Sequence, residues 1–309
     1  MKMLPQRVTV CEVGPRDGLQ NEKKFIDTDD KVNIINKLSE AGLTRIQITS
    51  FVNPKVIPQM SDCSEVSRQI KKYPDTVYAA LVLNLTGVKR AIEAQIEEVH
   101  MTLTASDTFN QKNSRMTTDE SLANFRSVAE EAHKAGVKMW GVMGTAFGCP
   151  FEGEIPDQRV LAIAGELISM GVTAVNFADT TGIANPRQVY ELSSRFKDRW
   201  PEMPLVLHFH NTRGSGLANV LGGLKAGVTM FESCVGGVGG CPFAPRAVGN
   251  ISTEDLAHML WGMGIETGIN LGKLLAISLE VEKVLGYELP GQIMKAGPVP
   301  FRINYPVEI

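Results

Sequence analysis

A helical pattern that closes on glycine and opens at once into a strand recurs four times, at Ala41-Gly42-Leu43, Ala135-Gly136-Val137, Met170-Gly171-Val172 and Ala226-Gly227-Val228. Glycine at a helix end supplies the left-handed C-cap that other residues reach only with strain. A strand that starts within three residues of that cap is the tight joint of α/β units. Around these joints lie eight strand-like runs, at 8–13, 45–50, 77–82, 98–103, 138–143, 173–177, 205–209 and 229–234. Helical patterns alternate with them. One starts at Thr28 with Val32, Ile35 and Leu38 at helical spacing, another at Thr117 with Glu120 as a capping box, and another at Asn185 ahead of Pro186. No linker or shift of composition interrupts the alternation between residue 1 and about residue 265. The pattern predicts one α/β domain, a parallel (β/α)8 or TIM barrel over 1–265, with a doubly wound open sheet as the competing arrangement. An extension over 266–309 is expected to carry one more helix, near 271–285, and a short Gly/Pro-rich tail, covering the barrel or a partner subunit.

With 309 residues, 43% of them hydrophobic, the chain can bury a large core without covalent staples. The five cysteines, Cys11, Cys63, Cys149, Cys234 and Cys241, are odd in number and show no Cys-x-x-Cys spacing, which argues against a disulfide framework or a zinc ribbon. A net charge of −3 without a Lys/Arg run gives no electrostatic reason to bind nucleic acid. Nothing in the chain reads as a bilayer span or an N-terminal signal sequence, so the expectation is a cytoplasmic protein with no membrane partner.

In a barrel of this kind, functional groups come from the carboxyl ends of strands and the loops that follow. Gly14-Pro15-Arg16-Asp17-Gly18 follows the first strand and projects Arg16 and Asp17 from a sharp turn; taken alone it is also compatible with a solvated surface ion pair. His208-Phe209-His210 closes the seventh strand. Strand alternation puts both imidazoles on one face, as a metal-ligand pair requires, although His-x-His also occurs in cores. The other histidines are His100, His133 and His258. After the eighth strand comes Gly236-Gly237-Val238-Gly239-Gly240-Cys241, a backbone free to move or to approach a ligand, with a thiol at its end. It lacks the Lys-Ser/Thr of a phosphate loop. Asp179-Thr180 after strand six and Asn250 beyond the glycine loop complete the rim; Asp179 is equally a capping residue for the next turn. Because strand eight closes on strand one, Asp17, His208, His210 and Asn250 become neighbours. Such a mixed N/O set suits a divalent metal with open positions, Mg²⁺ or Mn²⁺.

Four motifs in order, 13–22 (Val-Gly-Pro-Arg-Asp-Gly-Leu-Gln-Asn-Glu), 49–55 (Thr-Ser-Phe-Val-x-Pro-Lys), 208–214 (His-Phe-His-x-Thr-Arg-Gly) and 237–243 (Gly-Val-Gly-Gly-Cys-Pro-Phe), resemble the hydroxymethylglutaryl-CoA lyase family. The likeness runs from about residue 7 to about residue 285. It implies a metal held by Asp17, His208, His210 and Asn250, a catalytic thiol at Cys241, and cleavage of an acyl-CoA to acetyl-CoA and a keto acid. Arg16 would steady the charge of the departing enolate, and Asp17 or His208 would take the hydroxyl proton. Gln20, Lys23, Asp179, Thr180, Lys112 and Asn113 are candidate substrate or CoA contacts. A homodimer or higher homo-oligomer is expected. Other members of the same barrel class are citramalyl-CoA lyases and isopropylmalate-type synthases, the latter usually longer; a non-enzymatic metal-binding relative is a further alternative. One position departs from the pattern: Gln47 stands where the family carries a glutamate expected to pair with the arginine. The amide keeps an acceptor but removes the charge, so Gln47→Glu is expected to raise turnover if the position supports catalysis.

Overall fold

The computed structural model describes residues 4–240 and 249–299. Eight parallel strands close on themselves in sequence order: β1 (Thr9–Glu12), β2 (Arg45–Ser50), β3 (Val77–Val82), β4 (Glu98–Thr104), β5 (Lys138–Gly144), β6 (Ala174–Asp179), β7 (Leu205–Phe209) and β8 (Met230–Ser233). The open-sheet alternative is therefore excluded, since β1 pairs with both β2 and β8. Helices α1 (Thr28–Glu40), α2 (Cys63–Gln69), α3 (Leu85–Glu93), α4 (Asp107–Ser114), α5 (Thr118–Lys134), α6 (Asp157–Ser169), α7 (Pro186–Arg199), α8 (Gly216–Lys225), α9 (Thr253–Gly262), α10 (Leu271–Leu285) and the short α11 (Ile293–Ala296) complete the described chain.

The local signals act where the residue types place them. Thr117 and Glu120 form a reciprocal capping box on α5, and the Asn185 side chain accepts from Gln188 N ahead of Pro186 on α7. Gly42 adopts φ of +93°, and a Cβ there would lie 2.5 Å from the Gly268 carbonyl, so only glycine makes that joint without displacing backbone. Strand ends differ modestly from the expectation: β1 and β8 are shorter, while β4, β5 and β6 run on to Thr104, Gly144 and Asp179. An extra helix, α4, precedes α5, capped by Ser106.

Alternation along the strands sorts the interior. On β6, Phe177 faces outward and meets Phe196 of α7 edge-on at 5.3 Å. Its neighbours in the other parity turn into the barrel, where Ala174 packs with Cys11, Trp140, Val142 and Val206 as an apolar plug. On β7 the same parity carries Val206, then His208, then His210, so the plug gives way to polar groups toward the carboxyl end. Helix α10 lies against α1, where Glu280 accepts from Asn33 (2.6 Å) and Lys37 (2.5 Å).

A candidate metal and active site

The turn after β1 is a single wide helical turn, Gly14–Gly18, entered through Pro15. The Val13 carbonyl accepts from both Arg16 N (3.1 Å) and Asp17 N (2.7 Å). Beneath it the buried Glu12 carboxylate accepts from Gly14 N (2.7 Å), Val235 N (2.9 Å) and the Thr253 hydroxyl (2.7 Å), clamping the first and last barrel loops together. Burial pushes the Glu12 carboxyl up to about 7 against those three donors.

Arg16 and Asp17 therefore point into the barrel mouth. Arg16 Nη1 pairs with Asp17 Oδ1 at 2.6 Å. Asp17 Oδ2 accepts from Asn250 Nδ2 at 2.8 Å and lies 3.7 Å from His210 Nε2 and 4.0 Å from His208 Nε2. Burial would raise the Asp17 carboxyl, but Arg16 and the two imidazoles outweigh it and hold it well below the usual carboxylate range. His208 is oriented from behind by Glu232 of β8, whose Oε2 lies 2.8 Å from His208 Nδ1. Burial disfavours the charged imidazole, yet Glu232 raises its basicity above the ordinary value.

Asp17, His208 and His210 present ligand atoms all within 4.8 Å of one another. Among the described residues, two further buried polar atoms here, Asn250 Oδ1 and His210 Nδ1, have no hydrogen-bond partner. The Nε2 atoms of His208 and His210 converge on the Asp17 carboxylate beside the Asn250 amide, a donor set that fits a divalent cation, with Glu232 as the outer carboxylate that sets a ligand's tautomer. The glycine loop approaches the same point: Gly239 has φ of +123°, and a Cβ there would fall 2.6 Å from Asn250 Nδ2.

A family model described as HMGL-like matches residues 7–281. The chain belongs to the HMGL-like family. It is 42% identical to a hydroxymethylglutaryl-CoA lyase of Bacillus subtilis, over 93% of this chain and 96% of that one. It is 41% identical to an (R)-citramalyl-CoA lyase of Chloroflexus aurantiacus, over 95% of this chain and 96% of that one. A solved HMG-CoA lyase of Acinetobacter baumannii, in complex with coenzyme A and 3-methylmalate, shares 42% identity and superposes with a TM-score of 0.93, covering 99% of this chain and all of that one. This HMGL-like protein is accordingly a carbon–carbon lyase.

The fold brings Arg16, Asp17, Gln47, His208, His210 and Asn250 of the HMGL-like chain to one mouth. Gln47 accepts from Arg16 Nε through its Oε1, so the amide occupies the place of the family's charged partner. Other expected contacts are spread more widely. Both Asp179 oxygens are taken by Ile183 N (2.9 Å) and Ala184 N (3.0 Å), the capping role that the sequence left open. Thr180 Oγ1 accepts from Thr145 N at 3.1 Å, and half-buried Gln20 is tied through its backbone N to Arg16 O at 2.9 Å. Lys23 is exposed, as are Lys112 and Asn113 on α4, where the Lys112 ammonium sits 4.9 Å over the Phe151 ring. Cys241 lies outside the described residues; the root of its loop is held by Asn21 Nδ2 donating to Gly240 O at 3.0 Å.

Sequence reading missed Glu12, Glu232, Glu98 and His100, all buried. A signal was present. Glu12 and Glu232 are single ionisable residues inside apolar strands, Glu98 and His100 a same-face pair inside another, and a charge buried there must be paired.

Proposed function

We propose that this lyase cleaves 3-hydroxy-3-methylglutaryl-CoA to acetyl-CoA and acetoacetate. The observation that carries the reading is the convergence of Asp17, His208 and His210 within 4.8 Å beside the buried Arg16 guanidinium. Asp17, His208, His210 and Asn250 would hold a divalent cation, Mg²⁺ or Mn²⁺, and the bound cation would supply charge that favours loss of the 3-hydroxyl proton. Asp17 and His208 are the groups placed to accept that proton. As the oxygen becomes a ketone the bond between C2 and C3 breaks, and its electron pair passes into the thioester enolate. Arg16, a fixed donor-only cation, offers the enolate oxygen its charge-assisted hydrogen bonds. Cys241 on the glycine loop returns a proton to the enolate carbon, completing acetyl-CoA.

Residues 1–265 are assigned as the catalytic unit and 266–309 as its cover. Lys23, Lys112 and Asn113, exposed on the loop after β1 and on α4, are assigned to the CoA chain, Gln20, Asp179 and Thr180 to the acyl portion, and the protein to the cytoplasm as a homodimer or higher homo-oligomer. The near-equal likeness to a citramalyl-CoA lyase makes that substrate the second candidate.

Incubation with Mg²⁺ and the hydroxymethylglutaryl thioester should release acetoacetate, and a chelator should abolish it. Cleavage of citramalyl-CoA alone would move the substrate within the family, and cleavage of neither would overturn the reading. Cys241→Ser should cut turnover far more than Mg²⁺ affinity; equal loss of both would contradict its role as the proton donor.

A further inference from the structure

Gln47 does more than replace a carboxylate. It sits at the one irregularity in the β2–β3 pairing, where the register shifts between Gln47 and Thr49, and such a bulge re-aims a side chain. Its amide is fully engaged: Oε1 accepts from Arg16 Nε, and Nε2 meets Nδ1 of His100 on β4. His100 in turn places Nε2 3.2 Å from Glu98 Oε1, and Arg45 donates to both Glu98 oxygens. The imidazole lies flat on Trp140, centroids 4.4 Å apart and 7° from parallel, with the Arg45 guanidinium 4.6 Å from that indole.

Each link has only one allowed polarity. A guanidinium donates and never accepts, so Gln47 must turn its carbonyl oxygen to Arg16 and its NH₂ to His100. His100 Nδ1 must then be an acceptor, which puts the ring proton on Nε2, where the Glu98 carboxylate receives it. Glu98 can serve because, although burial would raise its carboxyl, His100 and Arg45 hold it below the ordinary value. Turned the other way, the amide would face Arg16 donor to donor, and Nε would lose its acceptor, leaving the guanidinium held only by Asp17 at Nη1.

We propose that His100 is a positioning residue: with its tautomer set by Glu98, it fixes the direction of the Gln47 amide and so the placement of Arg16 for the reaction. The inference rests on the lyase reading for Arg16's task, though not for the chain of hydrogen bonds. It also explains how a neutral residue serves at this position. A carboxylate accepts on both oxygens and needs no orienting partner, whereas an amide works only beside an imidazole that accepts at Nδ1. The other charged group facing His100 is Glu232 of β8, whose Oε1 stands 4.0 Å from Nδ1 and has no hydrogen-bond partner among the described residues.

Two measurements test it. In ¹⁵N-histidine NMR of the full chain near neutral pH, His100 should be neutral with its proton on Nε2, and Gln47→Glu should protonate Nδ1 as well. A proton on Nδ1 in the unsubstituted protein, or no change with Gln47→Glu, overturns the proposal whether or not the protein cleaves the expected thioester. In kinetics, His100→Phe, which keeps a flat ring on Trp140, should lower kcat about tenfold with little change in KM, but less than about threefold when Gln47→Glu is also present. Equal losses in both backgrounds would overturn it. Should His100→Phe fail to fold, the NMR measurement still decides, because it leaves His100 in place.

Discussion

At the scale of single residues, the site depends on side chains that never touch a metal. Glu232 is the clearest case, since its Oε2 is the partner that holds His208 Nδ1. Outer carboxylates of this kind fix the ring's tautomer and direction, and their loss typically costs about 10–100-fold in metal affinity. Glu232→Leu, similar in length but with no acceptor, should lower Mn²⁺ affinity by that order, read by titration calorimetry; unchanged affinity would show that the strand alone orients His208. The cluster of Asp17, His208 and His210 was readable in the sequence because His-x-His and Arg-Asp are close pairs at strand ends. Glu232 was not, because its role arises from the β7–β8 register, which sets it opposite His208. Gln47 was legible as a departure from the family pattern, but its compensation by His100 was not, because those residues lie two strands apart.

At the scale of elements, the glycine loop after β8 is the most informative. Its first half packs against the candidate metal site: Glu254 at the start of α9 accepts from Gly236 N at 3.0 Å, and Gly239 closes on the Asn250 amide. Gly239→Ala forces a Cβ to 2.6 Å from Asn250 Nδ2 at a backbone angle that L-residues rarely adopt. It should weaken metal binding and turnover together by about tenfold or more. Gly240→Ala meets nothing within 4 Å among the described residues and should leave metal affinity unchanged. Equal effects of the two substitutions would mean that general loop mobility, not the contact with Asn250, governs the site. Helix and strand signals were read well from the chain because caps and glycine joints act over a few residues. The extra helix α4 went unseen: its eight residues, Asp107–Ser114, carry little apolar periodicity and rely on Ser106 as a cap.

At the scale of the molecule, closing the barrel places acidic groups where water is absent. Burial raises Glu12 and Glu254 from an ordinary 4.5 to about 7. Below about pH 4.5 each is protonated whether folded or unfolded; between 4.5 and 7 only the folded chain retains the proton, so stability falls as pH rises, by about 1.4 kcal/mol per unit for each group. Asp17, Glu98 and Glu232, all held below their ordinary values, oppose this slope only near the lower end of the window, where the unfolded carboxylates begin to take up protons. His208, raised by Glu232, gives up its contribution in the same direction in metal-free protein. The urea midpoint of metal-free protein should therefore be lower at about pH 8 than at about pH 5, and Glu12→Gln should flatten the difference. A midpoint that rises across this range would show that the three donors around Glu12 keep it ionised throughout.

Alternation of strands and helices, the glycine joints and the caps were determined by the sequence itself, because each depends on the conformational preferences of neighbouring residues. So were the adjacent pair Arg16-Asp17 on the turn after β1 and the pair His208/His210, the latter because strand parity decides which side chains share a face. Closure of β8 onto β1 was expected from the strand count, and the tertiary structure decided it against the open sheet. That closure brings Asn250 against Asp17, as expected, and lets Glu12 bind both loops, while the β7–β8 register, which no local signal gave, sets Glu232 behind His208. The same stacking of strands inside the barrel puts His100 beside Gln47, so that an amide can hold Arg16 where a carboxylate was expected. Contacts between residues tens to hundreds of positions apart have no local signature, and at these positions only an isolated polar residue in an apolar strand betrayed that a distant partner must exist.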